Sequence, residues 1–395
     1  MAGNMLTSLF KEFFKSEKTS GFLLIGCAIV SMFLANSAVG ETYTAFWETN
    51  FIGHSFTHWI NDGLMAIFFL LVGLELEREI YAGELSGIRK ASFPTMAAFG
   101  GVLVPALIFT AFNYGTEFQN GAGIPMATDI AFAIGMLALL GSRVPANLKI
   151  FITALAVIDD LCAIIVIAIF YTSGVHWIYL AGAAGVMLVM FVLNRLKVYN
   201  IIPYLILAIA LWYCMLNSGV HATIAGVLAA FAIPFGDGTE KSPSYILQHA
   251  LHKPVAFIIV PIFALANTAI IFEPNWIDGL SSTESYGIIG GLVLGKPIGV
   301  LLFAYLAVAL GISSLPKGLK WKHIIGAGML AGIGFTMSIF IAILAFDHPA
   351  YVATAKISII AASLISAIVG LIYLKMILKR KFTEEEEDNT EIEVE

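Results

Sequence analysis

Twelve stretches of this 395-residue sequence are apolar over 16 residues or more, and basic residues fall almost wholly in alternate gaps between them. A helix rises 1.5 Å per residue and needs roughly 20 residues to cross a hydrocarbon core of about 30 Å. The stretches run Ser20 to Ala38, His58 to Ile80, Ser92 to Asn113, Gly121 to Leu140, Asn147 to Tyr171, Trp177 to Leu193, Ile201 to Leu216, Gly219 to Pro234, Pro254 to Phe272, Gly287 to Leu310, His323 to Phe346 and Tyr351 to Leu378. This pattern predicts an all-α polytopic membrane protein with 12 transmembrane helices.

Of 21 Lys and Arg, 19 lie in the N-terminal segment, the C-terminal tail or every second loop. The alternate loops carry acids instead, among them Glu41, Glu48, Glu117, Glu284 and Asp347. Basic loops stay in the cytoplasm, so both termini are expected there. A thirteenth or a missing helix would destroy the alternation.

Composition supports lipid as the solvent: 59% of residues are hydrophobic, 12% are charged, and mean hydropathy is +0.89. The net charge of -6 comes from the stretch Phe382 to Glu395, which holds eight acids and no base. That balance gives no reason to expect a nucleic-acid partner. Cys27, Cys162 and Cys214 fall inside apolar runs without metal-ligand spacing, which predicts buried thiols and no cofactor site. The expected organisation is an amphipathic cytoplasmic segment at 1–19, a membrane domain at 20–378 and an acidic cytoplasmic tail at 379–395. The basic start and first apolar run resemble a signal peptide, but that run is longer than the usual 7 to 15 residues.

Ionisable residues at membrane depth are costly and mark function. Asp159 and Asp160 sit mid-segment in ITALAVIDDLCAIIVIAIF, Asp129 in ATDIAFAIG and Lys296 in GGLVLGKPIGVLLF. An ionised, unpartnered Asp pair would cost about 5 to 7 kcal/mol on the insertion scale. Adjacent helical residues point about 100° apart, so one acid is expected to face an aqueous cavity and the other Lys296. The bland alternative is a structural ion pair. Lys356, one turn inside the last segment, is read as snorkelling, and Asp62 as structural.

Regular helix is doubtful in two places. Gly121, Gly123 and Pro125 precede Thr128 and Asp129 in segment 4, and Gly326, Gly328, Gly332 and Gly334 precede Thr336 and Ser338 in segment 11. Segments 3 to 5 and 10 to 12 enter from opposite sides, so the two interruptions occupy matching places in inverted-topology repeats. Such broken, crossing helices point to a midplane binding site. Asp129 is expected to offset positive half-helix N-termini, and Lys296 negative C-termini.

At these residues the chain resembles the NhaA family of bacterial sodium/proton antiporters, from about Gly21 to Lys375. The resemblance rests on WINDGLMAIFFLLVGLELERE, ATDIAFAIGMLALLGSRVP, FITALAVIDDLCAIIVIAIFY, SGVHATIAGV, LGKPIG and GIGFTMSIFIA. It implies a dimer in the bacterial inner membrane that exports Na+ or Li+ for a larger number of protons, two per Na+, with pH regulation. Carried over by position, Asp160 is the principal cation-binding and proton-carrying acid, with Asp159 its neighbour, and Na+ or Li+ binds at this pair. Thr128 and Asp129 match the broken fourth helix, and Lys296 the lysine that pairs with the first acid. Glu75, Arg78, Glu79 and His221 resemble residues of pH response, as do His249 and His252. The best-known member has an acid closely before these two histidines; this chain has Gln248, so one titrating carboxylate is missing.

Two other classes fit buried charge less well. A cation channel favours rapid flow over tight, alternating occupancy, and a sodium-coupled solute symporter needs a substrate pocket that no motif announces. No nucleophile and base pattern suggests an enzyme.

Overall fold

The computed structural model describes residues 2–83, 85–172, 174–272 and 276–378, with side chains from residue 19 onward and outside 88–90. The acidic tail at 379–395 lies outside the described residues. Each of the twelve apolar segments contains helix. Among the described residues, eight helices are long and apolar enough to cross a membrane, and two further candidates are bent pairs, Thr19–Ala35 with Gly40–Glu48 at 114° and Trp321–Ala331 with Phe335–Ala345 at 48°. The chain is therefore a mostly helical, polytopic membrane protein.

Its residue distribution is the reverse of a water-soluble core. The helix Trp177–Arg195 turns Trp177, Ile178 and Leu188 outward, and Ile29, Phe33, Ile206 and Ile209 are likewise exposed. Asp129, Asp159, Asp160 and Lys296 are all buried. Lipid accommodates the first set; protein must satisfy the second.

Several boundaries differ from the sequence reading. The backbone is helical without interruption from Ala2 to Ala35, so the N-terminal segment and the first apolar run share one helix. The expected loop after Ala38 forms the short helix Gly40–Glu48 and an antiparallel hairpin pairing Asn50 with Ser55 and Phe51 with His54. The eighth segment keeps regular helix only over Ile224–Ala232. Gly219 there adopts φ +86°, a left-handed turn conformation that a helix cannot continue. The ninth helix begins at Pro243 rather than Pro254, with a π-helical stretch at Val255–Ile259. Its first three turns are polar, which hid them from a hydropathy reading; Pro243 at the first helical position has no N–H to lose.

Close backbone approach sets the centre. The helix Ile88–Asn113 packs along Lys296–Ala309, and a β-carbon at Gly100 would lie 2.2 Å from the Gly299 carbonyl oxygen, while one at Gly299 would lie 2.1 Å from that of Gly100. Only two glycines permit this contact, which brings the Lys296 stem beside helix Ala146–Phe170.

Candidate functional site

The fourth and eleventh segments leave helical backbone partway along. In the fourth segment a 3-10 stretch Gln119–Met126 gives way to extended backbone at Ala127 and Asp129 before helix Ile130–Ala138 starts. In the eleventh, Gly332 to Gly334 separate Trp321–Ala331 from Phe335–Ala345. The breaks meet: the Asp129 N–H donates to the Ile333 carbonyl at 2.7 Å.

Asp129 closes both half-helices that start there. Its Oδ1 accepts from the Phe132 N–H at 2.9 Å, and its Oδ2 accepts from the Thr336 N–H at 3.0 Å and hydroxyl at 2.6 Å. A carboxylate at two helix N-termini satisfies orphan donors and meets both positive dipole ends. Lys296 makes its hydrogen bond to the first acid of the pair rather than to a half-helix end. The Ala331 carbonyl, at a half-helix C-terminus, accepts from Thr128 Oγ1 at 2.8 Å, whereas Lys296 Nζ donates to Asp159 Oδ2 at 2.5 Å. A carboxylate is the stronger partner for a buried ammonium than a neutral carbonyl.

Thr128 Oγ1 also lies 2.6 Å from Asp159 Oδ2. Asp159 Oδ1 and both oxygens of Asp160 are buried without a protein donor. Asp160 has Asp159, Asp129, Lys296 and Glu75 as its charged neighbours. The structure thus gathers Thr128, Asp129, Asp159, Asp160 and Lys296 into one cluster, with three acceptor oxygens left over. Hard cations take oxygen ligands, and such oxygens suit a cation or a proton.

A cavity of about 60 Å³ runs beside the cluster, lined by Glu75, Asp129, His252, Thr336, Phe68 and Ile130 among others. His252 Nδ1 lies 3.9 Å from Glu75 Oε1. The Arg78 guanidinium carbon is 5.8 Å from the Tyr245 ring centre, and Tyr245 in turn stacks on His249 at 6.3 Å. Glu79 is half-buried in the last turn of the same helix, Met65–Tyr81. His249 is exposed while His252 faces Glu75, and both lie on helix ahead of the apolar stretch that begins at Pro254.

His221 stands apart from this group. Its neighbours are the Tyr171 backbone and Asp62, and Asp62 precedes Glu75 by 13 residues, about 20 Å along a helix. Asp62 pairs with His58 at 3.2 Å, and its carbonyl accepts from Trp212 Nε1 at 2.8 Å. Lys356 is half-buried, with Glu48 as its electrostatic neighbour.

Sequence reasoning missed three contributors as site residues. Thr336 binds Asp129 twice; its place in the first turn after a glycine-rich break was the available signal. Ser338, one turn from the break, donates to the Ile124 carbonyl at 2.7 Å. Glu77, buried between two residues that were singled out, accepts from Ser244 at 3.0 Å.

A buried cluster of acids and one lysine among membrane-spanning helices defines an ion-coupled secondary transporter of the membrane. Comparison with known proteins makes this specific. Residues 11–374 match the family model described as Na+/H+ antiporter 1. The Na(+)/H(+) antiporter NhaA 1 of Flavobacterium johnsoniae is 63% identical over 373 residues, covering 94% of this chain and 98% of the relative. NhaA antiporters of Cytophaga hutchinsonii and Flavobacterium psychrophilum are 58% and 57% identical, each covering 96% of this chain and 98% and 99% of the relatives. The chain belongs to the NhaA family of Na+/H+ antiporters.

Proposed function

We propose that the chain exchanges Na+ or Li+ for protons at Asp160 and Asp159, exporting the cation from the cytoplasm across a bacterial inner membrane. The observation that carries this is the state of the oxygens: both of Asp160 and one of Asp159 lack donors, in a cluster that already contains a bound ammonium. A carboxylate so placed has two ways to offset its desolvation, a proton or a cation, and the two compete for the same atoms. Competition for one site that opens alternately to the two sides is all that exchange requires.

In this reading Na+ enters along the cavity past Glu75 and takes oxygens from Asp160, Asp159 and Thr128. Asp129, with its oxygens committed to Thr336 and Phe132, holds the crossing in place and faces the cation electrostatically. Cation charge at Asp159 weakens the hold of that carboxylate on Lys296, which releases a proton. Asp160 releases the other. Two protons per Na+ make the exchange electrogenic, and coupled buried groups titrate as a unit.

Twelve crossings, inverted repeats, cytoplasmic termini and a homodimer complete the reading. The basic-loop alternation and the matched packing of the third segment on the tenth and of the fourth break on the eleventh support it. Regulation by pH falls to Glu75, Arg78, Glu79, His249 and His252 around the cavity mouth, with His221 acting from the other end of the helix. Channel and symporter readings lack a comparable observation. The experiment is addition of Na+, Li+ or K+ to proteoliposomes holding a pH gradient, following internal pH across a pH series. Na+ current without proton movement would mark a channel, and dependence on an organic solute a symporter.

A further inference from the structure

The helix Pro243–Pro254 carries His249 and His252 yet has Gln248 where the resemblance expects a carboxylate. A carboxylate reaches the same helix from elsewhere. One turn before Gln248, the buried Ser244 donates its hydroxyl to Glu77 Oε2 at 3.0 Å, across 167 residues of sequence. Glu77 is 4% exposed, on helix Met65–Tyr81 between Glu75 and Arg78. Ser244 is the second residue of its helix, after Ser242 at the N-cap and Pro243, and its N–H reaches the Pro234 carbonyl at 3.3 Å. The Glu77 carboxylate therefore meets a helix N-terminus, where a negative charge is favoured and a neutral acid gains little.

The elements that form and flank this contact carry other charged and titratable groups. Its own helix supplies Glu75, Arg78, Glu79 and Tyr81; Pro243–Pro254 supplies Tyr245, His249, His252 and Lys253; the preceding loop holds Asp237, Glu240 and Lys241, and Lys149 starts helix Ala146–Phe170. Helix Ile224–Ala232, packed against Met65–Tyr81, brings no titratable side chain. Glu77 is joined by a hydrogen bond to the histidine-bearing helix.

We infer that Glu77 is a positioning residue for pH response, supplying across the helix interface the carboxylate that Gln248 does not. The inference rests on the antiport reading. Charged, Glu77 holds the start of Pro243–Pro254 through Ser244 and the helix dipole; neutral, it releases that hold, and the His252 to Glu75 contact beside the cavity moves with the helix.

The test is Na+-driven proton movement in proteoliposomes across a pH series. Glu77→Gln keeps the shape and the acceptor for Ser244 but removes the titrating charge. The ratio of rates between the alkaline and acid arms is expected to fall by about threefold or more, with the maximal rate within about twofold of the parent. Adding Gln248→Glu to that variant is expected to restore the ratio. Should Glu77→Gln fail to accumulate, Ser244→Ala is expected to lower the ratio in the same sense. A pH profile of either single variant superimposable on the parent overturns the inference, as does a folded Glu77→Gln protein without exchange at any pH. A parent protein without Na+-driven proton movement overturns the antiport reading instead.

Discussion

Lys296 and Asp159 meet 2.5 Å apart from helices 137 residues apart in sequence, and neither side chain touches solvent. Such a pair is not held for stability alone, because desolvating two charges offsets much of their attraction. Breaking it is a different matter. Lys296→Gln strands the Asp159 charge and is expected to cost about 3 to 5 kcal/mol of stability. Thermal unfolding in detergent measures this, and transport-generated membrane potential should change in the same variant. Parent-like values of both would leave Lys296 without its assigned role.

The Asp129 to Thr336 contact gives a second expectation. Thr336→Val removes one of two bonds from Thr336 to a buried carboxylate oxygen and leaves a charge underserved, costing about 1 to 3 kcal/mol. Because Asp129 ties two half-helices, the loss should appear both in melting temperature and in weaker Na+ dependence of exchange. Thr336→Ser keeps the hydroxyl and should retain both.

A third expectation concerns Gly100. The alanine β-carbon has backbone, not a flexible side chain, 2.2 Å away. Gly100→Ala must therefore part helices Ile88–Asn113 and Lys296–Ala309, at about 1 to 3 kcal/mol. Crosslinking of the Lys296 and Asp159 positions as cysteines would report the separation. Unchanged stability and crosslinking would show that the two helices pack more loosely than this contact implies.

Much of this was legible in sequence, for identifiable reasons. Apolar run length and basic-loop alternation are local, so they located helix in every one of the twelve segments. Glycine and proline act on their own backbone, so irregularity at Pro125 and at Gly332 to Gly334 was readable as well. What escaped depended on distant partners. Nothing near Glu77 announces Ser244, and the buried Asn61 and Asn267 amides, 206 residues apart, meet at 2.8 Å without a sequence signal. The Lys296 to Asp159 pairing is implied by the resemblance, but from depth and charge alone the choice between a helix end and Asp159 needs the packing at Gly100 and Gly299. Hydropathy also concealed the start of Pro243–Pro254, whose polar turns look like loop until a buried face at Pro243, Ser244 and Leu247 is seen.

The pH response offers a fourth expectation. Gln248→Glu places a carboxylate in the same helix as His249 and His252, and the activity profile should move along the pH axis. Exchange rates across a pH series in proteoliposomes measure it, and an unchanged profile would remove this helix from the response.

The central claim is that Na+ and protons compete for Asp160. The direct measurement is internal pH of proteoliposomes with an imposed pH gradient on addition of Na+, comparing the parent with Asp160→Asn, which preserves shape and removes the titrating charge. The parent is expected to dissipate the gradient, and Asp160→Asn, folded and reconstituted equally, is expected to leave it standing. Parent-like dissipation by Asp160→Asn would contradict the account.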